Sequence, residues 1–134
     1  MYCFESLIRV RYGETDRMGY LYYGHYAEYF EVSRTDMIRS LGLSYKEIED
    51  SGIIMPVKSL KVEYKFPARY DELLRVKSSL KKLPEIKLDI DYEIFNPENR
   101  LICTGNTILA FVDAKSLRPR RAPNFFLEAV KKYF

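Results

Sequence analysis

After one long stretch at a helical repeat of 3.6 residues, the hydrophobic repeat of this chain switches to 2 from Ile53 onward, and few folds accommodate that switch. Tyr26, Tyr29, Phe30, Ser33, Met37, Ile38 and Leu41 recur at helical spacing, with Glu28, Glu31, Arg34, Thr35 and Arg39 between them. The spacing predicts one long helix from about Gly24 or His25 to Leu41, stopped by Gly42. From Ile53 onward apolar and polar residues alternate. Val62, Tyr64 and Phe66 form one set, Leu74, Val76 and Leu80 a second, and Ile86, Leu88, Ile90, Tyr92 and Ile94 a third. Leu101 to Val112 is apolar or small on both faces, as in an interior or interface strand. Ile8, Val10 and Tyr12 alternate with Arg9 and Arg11, which predicts a strand before the helix. Ser44 with Glu47 predicts a capped short helix over Tyr45–Asp50, and a last helix is expected from Pro123 to Tyr133. Half-buried strands and one amphipathic helix have apolar faces that only each other can cover. The expected architecture is therefore α+β, a helix lying across an antiparallel sheet whose short connections join neighbouring strands.

A chain of 134 residues fits a single domain, residues 1–134, and its 47% hydrophobic and 15% aromatic content is that of a folded protein. Twenty-two basic against 19 acidic residues leave a net charge of +3, too little to imply a nucleic-acid partner. Cys3 and Cys103 have no zinc-ligand spacing and read as buried free thiols, which fits a reducing, cytoplasmic setting. The start of the chain has no signal-peptide pattern, and no apolar run approaches the length of a membrane span.

The residues with chemistry in them lie just before the long helix, in Glu14-Thr15-Asp16-Arg17-Met18-Gly19-Tyr20-Leu21-Tyr22-Tyr23-Gly24-His25-Tyr26. A loop carboxylate there can share a pocket with the first backbone N–H groups of the helix, which lack intrahelical partners and sit at the positive end of its dipole. An acid and an oxyanion site are the minimum equipment for hydrolysing an activated acyl group. His25 is the only histidine. It either orients substrate or water beside Asp16 or is a helix-start residue without chemistry, and alone it cannot build a histidine-clustered metal site. Tyr20, Tyr22, Tyr23, Tyr26, Tyr29 and Phe30 read mainly as core, with one or two rings left for an acyl tunnel.

This segment resembles the acyl-CoA thioesterases of the 4-hydroxybenzoyl-CoA thioesterase family. The match runs through Tyr12, Thr15-Asp16, Gly19, Leu21, Tyr22, Tyr26, Phe30-Glu31, Arg34 and Leu41-Gly42. It continues through Tyr64 to Leu73 and ends with Phe111-Val112-Asp113 and Arg118-Pro119-Arg120. The resemblance implies the hotdog fold, a curved antiparallel sheet of about five strands wrapped around one long central helix, with a C-terminal helix. It implies Asp16 as the catalytic carboxylate and the Tyr23 backbone N–H, beside Gly24, as the oxyanion donor. It gives His25 no inherited role. It also implies an acyl-CoA substrate, no metal or other cofactor, no membrane partner, and a homodimer or homotetramer with active sites at subunit interfaces. Lys65 and Arg69, and separately Arg118, Arg120 and Arg121, are candidates for holding coenzyme A phosphates, because guanidinium groups pair well with phosphate oxygens. Two other functions stay open at this point: a hotdog dehydratase or hydratase using His25, and a non-catalytic acyl-CoA-binding protein.

Overall fold

The computed structural model describes all 134 residues, Met1–Phe134. Five strands form one antiparallel sheet: β1 (Tyr2–Arg9), β3 (Val57–Tyr64), β4 (Leu73–Leu80), β5 (Lys87–Phe95) and β6 (Leu101–Ala110), in the order β1-β4-β5-β6-β3. A separate two-stranded ribbon pairs β2 (Ile53–Ile54) with β7 (Val112–Asp113). Helix α1 (Tyr26–Ser40) lies across the sheet, and α2 (Tyr45–Asp50) and α3 (Asn124–Val130) complete the elements. This is the α+β arrangement the periodicity predicts, and the inward alternation of β5 is complete, with Leu88, Ile90, Tyr92 and Ile94 all buried.

The helix is fixed to the sheet by one close approach. The Phe30 ring stacks on Tyr92 at 4.4 Å and 12° and lies directly over Gly105. A Cβ at position 105 would overlap the far end of the Phe30 ring and stand 3.1 Å from the Lys61 carbonyl oxygen, so no other residue leaves room for the ring. At its C-terminus α1 ends as predicted at Gly42, with Gly42 N–H donating to Arg39 O and Leu43 N–H to Ile38 O. Ser44 caps α2 by accepting from Glu47 N–H at 3.1 Å.

Four expectations need correction. First, β1 begins at Tyr2 and ends at Arg9; Val10 is buried beyond it, whereas Tyr12 is exposed in a 3₁₀ turn. The ladder stops because β4 begins at Leu73, and Val10 is instead held by bonds to Asp71 and Glu72. Second, β3 and β4 are not neighbours. The segment 65–72 crosses the end of the sheet instead, because an extended chain of that length reaches well past the roughly 15 Å of three strand spacings. Third, Arg34 sits at a polar position of the helical pattern yet is 5% exposed. It reaches Tyr45 OH through Nε at 2.7 Å and Tyr92 OH through Nη1 at 3.3 Å, and this meets its polar need inside. Fourth, Cys103 is buried but Cys3 is only half-buried, 3.4 Å from the Ser79 hydroxyl.

The Phe30–Gly105 contact yields the first prediction. Gly105→Ala should lower unfolding free energy by about 1–3 kcal/mol through overpacking, and Phe30→Ala by about 3–5 kcal/mol through cavity formation. Chemical denaturation of each variant measures both.

Candidate active site

Asp16 opens a tight loop. Its carboxylate Oδ1 accepts from Met18 N–H at 2.9 Å and Tyr20 N–H at 3.1 Å, while its own N–H donates to Tyr20 O at 2.7 Å. The other carboxylate oxygen has no protein donor. Beneath the loop runs the crossover from β3 to β4. Leu21 N–H donates to Ala68 O at 2.7 Å, Tyr70 N–H to Gly19 O at 3.3 Å, and Tyr20 bridges Arg69. The non-hairpin connection is thus the floor on which the loop rests.

Three residues after the loop closes at Tyr20, Tyr23–His25 form a 3₁₀ turn that runs directly into α1. No protein group accepts from the backbone N–H of Tyr23 or Gly24. A Cβ at position 24 would stand 2.7 Å from the half-exposed Tyr22 ring, which would have to turn aside. Asp16 and Tyr23 border the same concavity, of about 340 Å³, whose wall includes the rings of Tyr20, Tyr26, Tyr64 and Phe66 and also Lys65. On its other side the Asp16 loop borders a second, more polar concavity with Tyr12, Arg17 and Tyr70. Asp16, Tyr23 with its unpaired backbone N–H, and an aromatic wall therefore border one concavity, with Gly24 next in the chain. That is the equipment for stabilising an oxyanion beside a nucleophile or base.

The sequence pattern of the Thioesterase-like superfamily matches residues 10–130. The chain belongs to this superfamily. YneP of Bacillus subtilis is 34% identical over 119 residues, covering 89% of this chain and 86% of that protein. The acyl-CoA thioester hydrolase YbgC of Escherichia coli is 28% identical over 125 residues, covering 93% of each. The crystal structure of a DHNA-CoA thioesterase from Staphylococcus aureus superimposes with a TM-score of 0.93 at 39% identity, over 99% of this chain and 91% of that one. The resemblance carried by the loop motif is thereby met in family, hotdog fold and reaction class.

Within this thioesterase-like chain the five basic candidates fall into two separate groups. Lys65 borders the Asp16 concavity and bonds Glu63 at 3.2 Å. The Arg69 guanidinium lies over the Tyr20 ring at 5.2 Å. Arg118, Arg120 and Arg121 follow β7, where Arg118 O accepts from Asp113 N–H and Arg120 N–H donates to Phe111 O. That places them at the opposite end of β6, roughly 25 Å away at the rise of a strand. His25 turns from the Asp16 concavity and bonds Glu28 through Nδ1 at 3.1 Å. Glu31 is exposed and makes no hydrogen bond through its side chain. Cys103 is no nucleophile, because burial pushes its thiol up to about 12.

Two contributors escape a reading of the residues alone. Tyr64 packs edge-on against Tyr26 at 5.0 Å and donates its hydroxyl to Tyr23 O at 3.0 Å, holding the Tyr23–His25 turn. Its signal was a large aromatic at the end of a strand within the matched segment. The other is Glu14, which accepts from Arg11 N–H at 3.0 Å, Arg11 Nη2 at 3.1 Å and Tyr29 OH at 2.8 Å. Glu14, His25 and Glu28 offer ligand atoms within 4.8 Å of one another. His25 and Glu28 bond one another, whereas both Glu14 oxygens are engaged by Arg11 and Tyr29, so the buried member of the trio has no free oxygen.

Burial pushes the Glu14 carboxyl up, but the bonds from Arg11 and Tyr29 outweigh it and hold the group below the usual glutamate range. A depressed carboxyl contributes stability that is present above the unfolded-chain value and is lost as pH falls through the folded value. Denaturant unfolding should therefore show wild type more stable than Glu14→Gln at pH 7. The difference should shrink as the pH falls from about 5 to 3.

Proposed function

We propose that this thioester hydrolase cleaves acyl-CoA at the Asp16 concavity, releasing a free acid and coenzyme A. The observation that carries the reading is that Asp16 and Tyr23, whose backbone N–H has no protein acceptor, border one aromatic-walled space. The thioester carbonyl oxygen accepts from the Tyr23 and Gly24 N–H groups as it becomes an oxyanion. The Asp16 carboxylate either attacks the carbonyl carbon, expelling the coenzyme A thiolate and leaving a mixed anhydride for water to hydrolyse, or takes a proton from an attacking water. Neither route needs a metal or a redox group. The ring-lined wall and the 39% identity to an enzyme described as a DHNA-CoA thioesterase favour an aromatic acyl group.

The same reading includes a homodimer. β3 is an edge strand with one side unpaired, and Val57, Leu60 and Tyr64 on it are each about half exposed. Antiparallel pairing of two β3 edges about a twofold axis covers these side chains and removes both open edges. It also brings Arg118, Arg120 and Arg121 of the partner subunit to the same end of the joined sheet as Asp16 and Lys65. Coenzyme A phosphates would then meet cations from both chains. A cytoplasmic setting suits two unpaired cysteines, and no helix is long and apolar enough to cross a membrane.

Thiol release from a panel of acyl-CoA substrates tests the chemistry. Wild type should turn over aromatic acyl-CoA faster than long-chain acyl-CoA. Asp16→Asn should lose about 10²–10⁴-fold in kcat with its thermal unfolding unchanged. Tight acyl-CoA binding without thiol release by wild type would favour a binding protein instead. For the assembly, Leu60→Asp should shift sedimentation from dimer to monomer and raise KM for acyl-CoA.

A further inference from the structure

Glu14 directly precedes Thr15-Asp16 and is only 7% exposed. It borders neither of the concavities that Asp16 borders. Its side chain faces the groove on the other side, between β1 and α1, with Arg11, Glu28 and Tyr29. Burying a carboxylate there is costly unless its lone pairs are met, and three donors meet them.

What those bonds join is specific. The side chain reaches Tyr29, one turn into α1. The backbone carbonyl of the same residue accepts from Tyr22 N–H at 2.9 Å, immediately before the Tyr23 and Gly24 amides. Thr15, next in sequence, bridges Leu21 and anchors its hydroxyl on Tyr12 O at 2.8 Å. One residue therefore grips the helix with its side chain and the oxyanion turn with its backbone, two positions before the Asp16 carboxylate.

We infer that Glu14 is a positioning residue for hydrolysis, setting the distance between the Asp16 carboxylate and the Tyr23–Gly24 amides through its clamp on Tyr29 and Arg11. The inference rests on the assignment of Asp16. Glu14 lines neither concavity at Asp16, so its loss should leave substrate affinity intact. It loosens the register of two groups that must meet one carbon within about half an ångström. The consequence is a fall in kcat with little change in KM.

The test compares Glu14→Ala, Glu14→Gln, Tyr29→Phe and the Glu14→Ala/Tyr29→Phe double variant with wild type and Asp16→Asn, using steady-state thiol release and thermal unfolding on the full chain. Glu14→Ala should lose about 30- to 100-fold in kcat and Tyr29→Phe about 3- to 10-fold, with KM within about threefold of wild type in both. Glu14→Gln, which keeps an acceptor oxygen, should recover part of the loss. The double variant should be no slower than Glu14→Ala, because both changes cut one link. Folded single variants with wild-type kcat, losses confined to KM, or effects that multiply in the double variant would overturn the inference. Should Glu14→Ala fail to fold, Glu14→Gln and Tyr29→Phe decide by the same criteria. An inactive Asp16→Asn alongside a fully active Glu14→Ala sinks only the positioning role, whereas an active Asp16→Asn sinks the Asp16 assignment first.

Discussion

The contact between Phe30 and Gly105 sets the height of the central helix above the sheet, and the candidate site inherits that height. Phe30 is one turn from Tyr26, the first residue of α1, and that turn connects directly to the Tyr23–Gly24 amides. A side chain at position 105 would push the ring, and with it the start of the helix, away from β6. Close packing leaves no slack to absorb such a shift, so it would be passed along the helix. Stacking on Tyr92 fixes the ring in plane as well as in height. The position of the amides is therefore decided in the core.

The opposing carboxylate is positioned from a different direction. Its loop lies on the β3-to-β4 crossover through Ala68, Arg69 and Tyr70, and it is tied back to α1 through Glu14. Two supports thus converge, one through the sheet face and one through the sheet end. The hydrogen bonds from Met18 and Tyr20 occupy one carboxylate oxygen and leave the other free of protein donors. Tyr64 joins the two supports, since it belongs to β3 yet bonds the carbonyl of Tyr23.

Much of this was legible beforehand where a single period governed a segment. Helix α1, its stop at Gly42, the Ser44 cap and the β5 alternation all follow from local rules, and the structure has them. The failures share a cause. Tyr12 continued a period of two, but the ladder beside it ended at Leu73. Arg34 had the spacing of an exposed residue, but Tyr45 and Tyr92 offered it hydroxyls inside. The short β3-to-β4 connection looked like a turn between neighbours, but it spans the end of the sheet. Each outcome depended on a partner distant in sequence.

The sequence by itself determined which segments are helix or strand, which face of the long helix and of β5 is apolar, and that Asp16 stands in a loop before the one long helix. Those properties depend on neighbours within a few residues, and a period or a motif encodes them. Only the tertiary structure decided that β3 takes the edge, that the crossover underlies Asp16, that Glu14 clamps the loop to Tyr29, and that Arg118, Arg120 and Arg121 stand at the other end of the sheet from Lys65. Strand order and buried polar pairing are choices among long-range alternatives of similar local energy. They are settled by which arrangement closes the core around Phe30 and leaves no buried side-chain nitrogen or oxygen unpaired.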